Sequence, residues 1–227
     1  PALDALFAVS SNSLAMPGVM VANFLMESPA FGDLIKSSLT LAQSPEFQGY
    51  IAQVNPGIVP PTEAQMVGYY QNFYALLSPV QQGELNAIFA QFTFAAQTVT
   101  DSGDPINYLA AMAASQTPTH LIEVVGNSND NLSDQVIPNS VQTAPLAGTE
   151  GAIALLGLPG VSKTTLGSGV VRFVAGHHGS ILDPSPRPEA PDEAMAGRAT
   201  QEMQGQVASF FLSGGQAITV TDSDVIN

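Results

Sequence analysis

Two adjacent histidines, His177 and His178, are candidates for acid–base chemistry in this sequence. They lie in the stretch RFVAGHHGSILD, and the whole chain has only three histidines. An imidazole exchanges protons near neutral pH, and an aspartate that accepts its ring N–H stabilises the charged form. Two aspartates, Asp130 and Asp134, lie in a second loop, NSNDNLSDQVIPN. An Asp–His pair from these loops is the arrangement that a serine nucleophile requires beside it.

Apolar segments precede both loops and are predicted to be strands. THLIEVVG (119–126) and GVVRFVAG (169–176) lack polar alternation, and AITVTDSDVI (217–226) is a third candidate. Such runs suit strands of a parallel sheet that is covered on both faces. Helices are predicted at 150–158 and 199–212, which gives the alternating order of an α/β protein. Because parallel strands end at one edge of the sheet, an aspartate and a histidine are expected to converge there.

The first half of the chain is predicted to be helical, over residues from about 20 to 115. Ser78 and Gln81 form the pattern of a capping box, with Pro79 at the first helical position. Apolar residues at helical spacing mark one stripe before this box and another after it. The stripes are Met66, Tyr69, Tyr70, Phe73, Leu76 and Leu77, and then Leu85, Ile88, Phe89, Phe92, Ala96 and Val99.

The charge balance restricts the class of partner. Five basic against nineteen acidic residues give a net charge of −14, which argues against binding to nucleic acid or to an anionic membrane surface. No apolar run is long enough to span a bilayer. Few lysines among many uncharged polar residues indicate a secreted or salt-exposed surface, but an ordinary acidic soluble protein has the same composition. Both interpretations stay open.

Neither a cofactor nor a metal is expected. The absence of cysteine rules out disulfides, cysteine-ligated zinc and a cysteine nucleophile within this chain. Adjacent histidines on an extended chain point to opposite faces and seldom share a metal ion. The acidic loops DSGD (101–104) and DPSPRPEAPDE (183–193) lack EF-hand spacing, so solvated carboxylates are the better interpretation.

Several stretches resemble the C-terminal part of bacterial α/β-hydrolase lipases, in particular the Pla-1/cef type extracellular lipases, which are related to virulence-factor lipases. The resemblance implies an α/β-hydrolase sheet with a mostly helical cap, and a carboxylic ester hydrolase acting on lipids or other esters, phospholipids included. It also implies a protein that is secreted, or associated with the outer membrane, in a Gram-negative bacterium. The stretches are 1–7, 13–18, 24–36, 94–108, 119–140, 145–162 and 167–184.

The resemblance assigns roles within the two loops. Asp134, in D-Q-V-I-P, matches the triad acid after the seventh strand, with Asp130 as second choice. His178, in a G-x-H-x-S context, matches the catalytic histidine, with His177 as second choice. The family's nucleophile is a serine in a G-x-S-x-G turn that precedes both residues, and no such pattern occurs in this sequence. We therefore expect a C-terminal fragment or one chain of a cleaved lipase, whose serine lies in a missing N-terminal segment or a companion chain.

The expected organisation has three parts: a hydrolase-core strand region at 1–18, a helical cap at 19–95, and a C-terminal core at 96–227 that carries the acid and the histidine. The helical part either has an aromatic core of its own or lines a trough for acyl chains. A non-catalytic lipid-binding or structural domain that keeps the hydrolase shape is the alternative function. The candidates for contact with an acyl chain are Met20, Phe24, Phe73 and Phe89.

Overall fold

The apolar segments predicted to be strands form the centre of a mixed α/β structure. The computed structural model describes residues 9–57, 59–127 and 130–227, so the whole of stretch 1–7, and with it the start of the strand region expected at 1–18, lies outside the described residues. The strands are β1 (Asn12–Ala15), β2 (Thr119–Val124), β3 (Thr165–Leu166), β4 (Gly169–Phe173) and β5 (Ala217–Ile218). The helices are α1 (Val21–Glu27), α2 (Gly32–Gln43), α3 (Pro45–Val54), α4 (Glu63–Leu76), α5 (Pro79–Thr100), α6 (Ile106–Ala114), α7 (Thr149–Leu156) and α8 (Glu193–Leu212).

Three parallel strands make the main sheet, in the order β1-β2-β4. Every residue of β2 is buried, because this strand is central and helices cover both of its faces. Helix α8 packs on one face around Ile122 and Val171, while α7 covers the other, where Leu121 and Val170 lie. The runs at 119–124 and 169–173, which lack polar alternation, therefore predicted buried parallel strands correctly.

The candidate third strand over 217–226 is only partly present. Only Ala217 and Ile218 form a strand in this segment, and they pair antiparallel with β3. The end of the segment meets β4 at a single antiparallel bridge, between Ile226 and Phe173. The backbone N–H groups of Thr221 and Asp222 donate instead to the buried carboxylate of Glu202 on α8. Because these N–H groups bind the side chain of Glu202, they are not available for pairing with a neighbouring strand. The strand therefore does not continue through this part of the segment.

Helices α2 to α5 share an apolar core of their own, which contains Phe47, Tyr70, Phe73, Leu85 and Phe89. The capping box at the start of α5 is present as predicted, with reciprocal hydrogen bonds between Ser78 and Gln81. The second apolar stripe is only partly correct. Phe92 is 41% exposed and Val99 is 81% exposed. Because α5 has 22 residues and its neighbour α4 has 14, the end of α5 extends beyond this core.

The carboxylate of Asp104 joins the two ends of the helical segment. It accepts the backbone N–H groups of Met20 and Val21 at the start of α1, and that of Ile106 at the start of α6. Gln97 near the end of α5 donates to the same carboxylate. Burial opposes ionisation of Asp104, but these hydrogen bonds, with that of Gln97 the largest, outweigh it and lower its pKa. The chain thus enters and leaves the helical segment at one buried carboxylate.

None of the helices in the described ranges combines the length and the apolar character that crossing a membrane requires.

Candidate functional site

The loops after β2 and β4 lie side by side at the carboxyl edge of the main sheet. The backbone N–H groups of Val125 and Gly126 both donate to the carbonyl of Phe173, the last residue of β4. Further along the first loop, the N–H of Asp134 returns to the carbonyl of Val124. The two segments singled out in the sequence therefore meet where a parallel sheet places its binding sites.

Asp134 and His178 are in direct contact across these loops. Oδ2 of Asp134 lies 2.7 Å from Nδ1 of His178. The carboxyl group is 1% exposed, and its other oxygen accepts the N–H groups of Val136 and Ile137 at 2.8 and 3.0 Å. The turn D-Q-V-I thus folds back on the aspartate side chain and fixes its orientation. The contact expected between the two loops is present.

The contact to Asp134 decides which nitrogen of His178 carries a proton when the ring is neutral. A carboxylate can only accept, so Nδ1 carries the hydrogen and Nε2 keeps its lone pair. The side chain of His178 is 34% exposed, and no hydrogen bond to Nε2 occurs within the described ranges. An imidazole held in this form can take a proton from a hydroxyl that approaches Nε2.

His177 has a different environment although it is adjacent. It is 5% exposed, and Nδ1 accepts the N–H of Gly179 while Nε2 lies 3.2 Å from the carbonyl oxygen of Ser185. Its backbone N–H donates to the hydroxyl of Ser180. Both ring nitrogens therefore have partners within the loop. This geometry favours a structural role for His177.

The third histidine, His120 on β2, is buried away from these loops. Its Nδ1 lies 2.9 Å from the hydroxyl of Ser13, and its Nε2 lies 3.1 Å from Oε1 of Gln206. Because the amide nitrogen of Gln206 donates to Glu202, its oxygen must accept, so Nε2 of His120 carries the hydrogen. Burial lowers the pKa of His120 to about 4, which keeps the ring neutral.

The remaining candidates fall into two groups. Asp130 is exposed, and the carboxylate in contact with His178 belongs to Asp134. Met20 and Phe24 pack in one apolar cluster with Ile137, the residue whose N–H binds Asp134. Phe73 and Phe89 instead belong to the core that α2 to α5 share. The first pair is thus adjacent to the acid-bearing loop, whereas the second pair is engaged in the helical core.

Sequence reasoning missed Asn131, whose side chain joins the two loops. Its amide binds both the N–H and the carbonyl of Gly176. An asparagine within a loop rich in Asn, Ser and Asp gives no signal beyond that of a turn former. No cluster of three or more His, Asp or Glu side chains suited to a metal ion occurs in the described part of the chain.

The hydrogen-bond partners predict different neutral tautomers for the three histidines. In a chain labelled with ¹⁵N-histidine, we expect His178 to give the Nδ1–H pattern, and His120 and His177 the Nε2–H pattern. Two-dimensional ¹H–¹⁵N correlation spectra near pH 8 distinguish these patterns. His178→Gln is expected to remove the Nδ1–H pattern alone. An Nε2–H pattern for His178 would contradict the contact with Asp134.

Comparison with known proteins identifies no relative: no protein-family model, no curated protein and no solved structure matches the chain.

Proposed function

We propose that this chain supplies the acid and the base of a serine carboxylic ester hydrolase, and that its sheet is part of an α/β-hydrolase core. The observation that carries the proposal is the contact between Asp134 and His178. A buried carboxylate held by two backbone N–H groups orients an imidazole whose second nitrogen is free to act as a base. Supporting it, both residues follow parallel strands at the carboxyl edge of the sheet.

The proposed reaction is a two-step acyl transfer. Nε2 of His178 takes the proton from a serine hydroxyl while the serine oxygen attacks the ester carbonyl carbon. The same proton then passes to the leaving alkoxide, which departs as an alcohol and leaves an acyl-serine. In the second step His178 takes a proton from water and the resulting hydroxide attacks the acyl carbon. The bond between that carbon and the serine oxygen then breaks, which releases the carboxylic acid, and the proton returns from His178 to the serine oxygen. Asp134 orients His178 and stabilises the imidazolium in both steps.

We propose that the serine lies outside this chain, because the sequence has no G-x-S-x-G turn before Asp134 and His178. The edge of the sheet fits this proposal, because β1 pairs with β2 on one side and, in the described ranges, with no strand on the other. A further parallel strand beside β1 would end at the same edge as β2 and β4. A residue after that strand would then lie near the two loops.

For the acyl part of the substrate, we propose the apolar cluster next to the acid-bearing loop. Met20 and Phe24 pack there with Ile137, close to the carboxylate of Asp134. Acyl chains are bound through apolar area, so aromatic and methionine side chains are suitable contacts. A lipid or a shorter ester fits this description.

The test uses the natural polypeptide that contains these residues, isolated from its source. We expect it to react covalently with a fluorophosphonate, which labels activated serines, and to hydrolyse a p-nitrophenyl ester, with both activities lost after heat denaturation. The separate 227-residue chain is the control, and it is expected to remain unlabelled. A natural polypeptide that is folded, binds lipid vesicles and remains unlabelled would instead support the non-catalytic lipid-binding alternative.

A further inference from the structure

The side chain of Asn131 forms a double hydrogen bond between the acid-bearing loop and the histidine-bearing loop. Its Nδ2 donates to the carbonyl of Gly176 at 2.8 Å, and its Oδ1 accepts the N–H of the same residue at 2.9 Å. Nδ2 also donates to the carbonyl of Leu132. Asn131 is buried, so water competes little for these groups. One amide thus occupies both polar groups of a single backbone residue in the opposite loop.

The loop that receives this amide has little freedom of its own. Gly176 has a φ of 96°, and a Cβ at this position would lie 2.9 Å from the hydroxyl oxygen of Ser180. That hydroxyl is buried and accepts the N–H of His177. Gly176, His177 and Ser180 therefore form one tight turn, which carries His178. Hydrogen bonds that fix the position of Gly176 therefore also fix the position of His178, two residues later.

We propose that Asn131 is a positioning residue, which sets the separation of the two loops so that Asp134 meets Nδ1 of His178. Asn131 lies three residues before the acid, and Gly176 lies two residues before the base. The double hydrogen bond therefore fixes both sides of the Asp134–His178 contact within a few residues of it. The catalytic part of this inference rests on the proposed hydrolase function, whereas its geometric part does not.

Two substitutions separate the groups of the amide. Asn131→Asp keeps an acceptor for the N–H of Gly176, but it faces the carbonyls of Gly176 and Leu132 with oxygen instead of N–H. Asn131→Ala removes all three hydrogen bonds. Asn139→Ala is the matched control. The amide of Asn139 donates to the carbonyl of Val124 at the end of β2, and within the described ranges it makes no hydrogen bond to the histidine-bearing loop.

The experiment records ¹H–¹⁵N spectra of the ¹⁵N-histidine-labelled 227-residue chain, with thermal unfolding of each variant measured in parallel. We expect both Asn131 variants to lose or broaden the Nδ1–H signal of His178 at temperatures well below unfolding, with the signals of His120 unchanged. Asn139→Ala is expected to lower the unfolding temperature and to keep the His178 signal. In the natural polypeptide, Asn131→Asp is expected to lower kcat about 100-fold with little change in KM.

The outcomes of these experiments distinguish the positioning role of Asn131 from the proposed hydrolase function. If the His178 signal persists in both Asn131 variants, or disappears equally in Asn139→Ala, Asn131 is not a positioning residue. If the signal disappears only in the Asn131 variants while the natural polypeptide shows no hydrolysis, the positioning role stands and the proposed function fails. A fall in kcat without a change in the His178 signal would overturn the inference, since another cause would then be acting.

Discussion

His178→Ala is expected to abolish ester hydrolysis by the natural polypeptide, while His177→Ala leaves most of it. General-base catalysis contributes about 10²–10⁴-fold to a rate, so kcat should fall by at least this factor when His178 is removed. His177 has both ring nitrogens engaged in its own loop, and within the described ranges it makes no hydrogen bond to Asp134 or to the ring of His178. Its removal should reduce stability by about 1–3 kcal/mol, through the backbone groups left without partners.

The measurement compares kcat for a p-nitrophenyl ester, corrected for the fraction of each variant that is folded. Asp134→Asn serves as the second arm, and it is expected to lower kcat about 10⁴-fold because an amide no longer enforces the Nδ1–H tautomer. A fully inactive His177→Ala combined with an active His178→Ala would reverse the assignment of the base.

Stability is expected to fall as the pH decreases from about 6.5 to about 4, because of His120. Burial holds the pKa of this imidazole near 4, against 6.5 for the free side chain. In that interval the unfolded chain binds a proton at His120 and the folded chain does not, so acid favours unfolding. The difference corresponds to about 3 kcal/mol across the interval, at about 1.4 kcal/mol for each pH unit.

The measurement is the difference in unfolding free energy between the parent chain and His120→Gln, by urea denaturation at several pH values. Glutamine retains a donor and an acceptor but does not titrate. Relative to this variant, the parent should lose stability with decreasing pH. Equal pH dependence of the two proteins would show that His120 is not buried in the neutral form.

Glu123 provides a control of opposite sign. Burial, and secondarily the charge of Glu150, raise the pKa of Glu123 to about 7, although Arg172 lies 2.8 Å from its carboxylate. Here the folded chain binds the proton more tightly, so this contribution to stability is present below about pH 4.5 and is lost as the pH rises through 7. Relative to Glu123→Gln, the parent should therefore lose stability with increasing pH. Because the two effects have opposite signs, they partly cancel in the pH dependence of the parent chain's stability, and the comparison with each variant is needed to separate them.

The parts of the fold that sequence reasoning reached are those with strong local signals. Runs without polar alternation predicted β2 and β4, and the capping box at Ser78 predicted the start of α5. The loops that carry Asp134 and His178 follow from those strands, because parallel strands end at a common edge. The division of the chain into three parts, and the catalytic roles of Asp134 and His178, stay predictions.

What sequence reasoning missed depends on partners that are distant along the chain. Segment 217–226 has the composition of a strand, but Glu202 on α8 captures its backbone N–H groups. The amide of Asn131 finds its partner 45 residues away. No local pattern reports such contacts, since the side chains would suit a solvent-exposed turn or helix equally well.

The buried carboxylate of Asp104 has a consequence for how this architecture can vary. It holds together the two ends of the helical segment, which are about eighty residues apart in the sequence. These ends therefore stay joined whatever lies between them. The helical segment meets the acid-bearing loop near its beginning, where Phe24 packs with Ile137 and where the hydroxyl of Ser28 and the N–H of Ala30 donate to backbone carbonyls at 135 and 136. The entropy cost of joining the ends of a segment grows only slowly with its length, so a longer or shorter segment could be held by the same hydrogen bonds. We therefore expect the stretch from Gly32 to Ala96 to tolerate changes in length better than the strands and loops that carry Asp134 and His178.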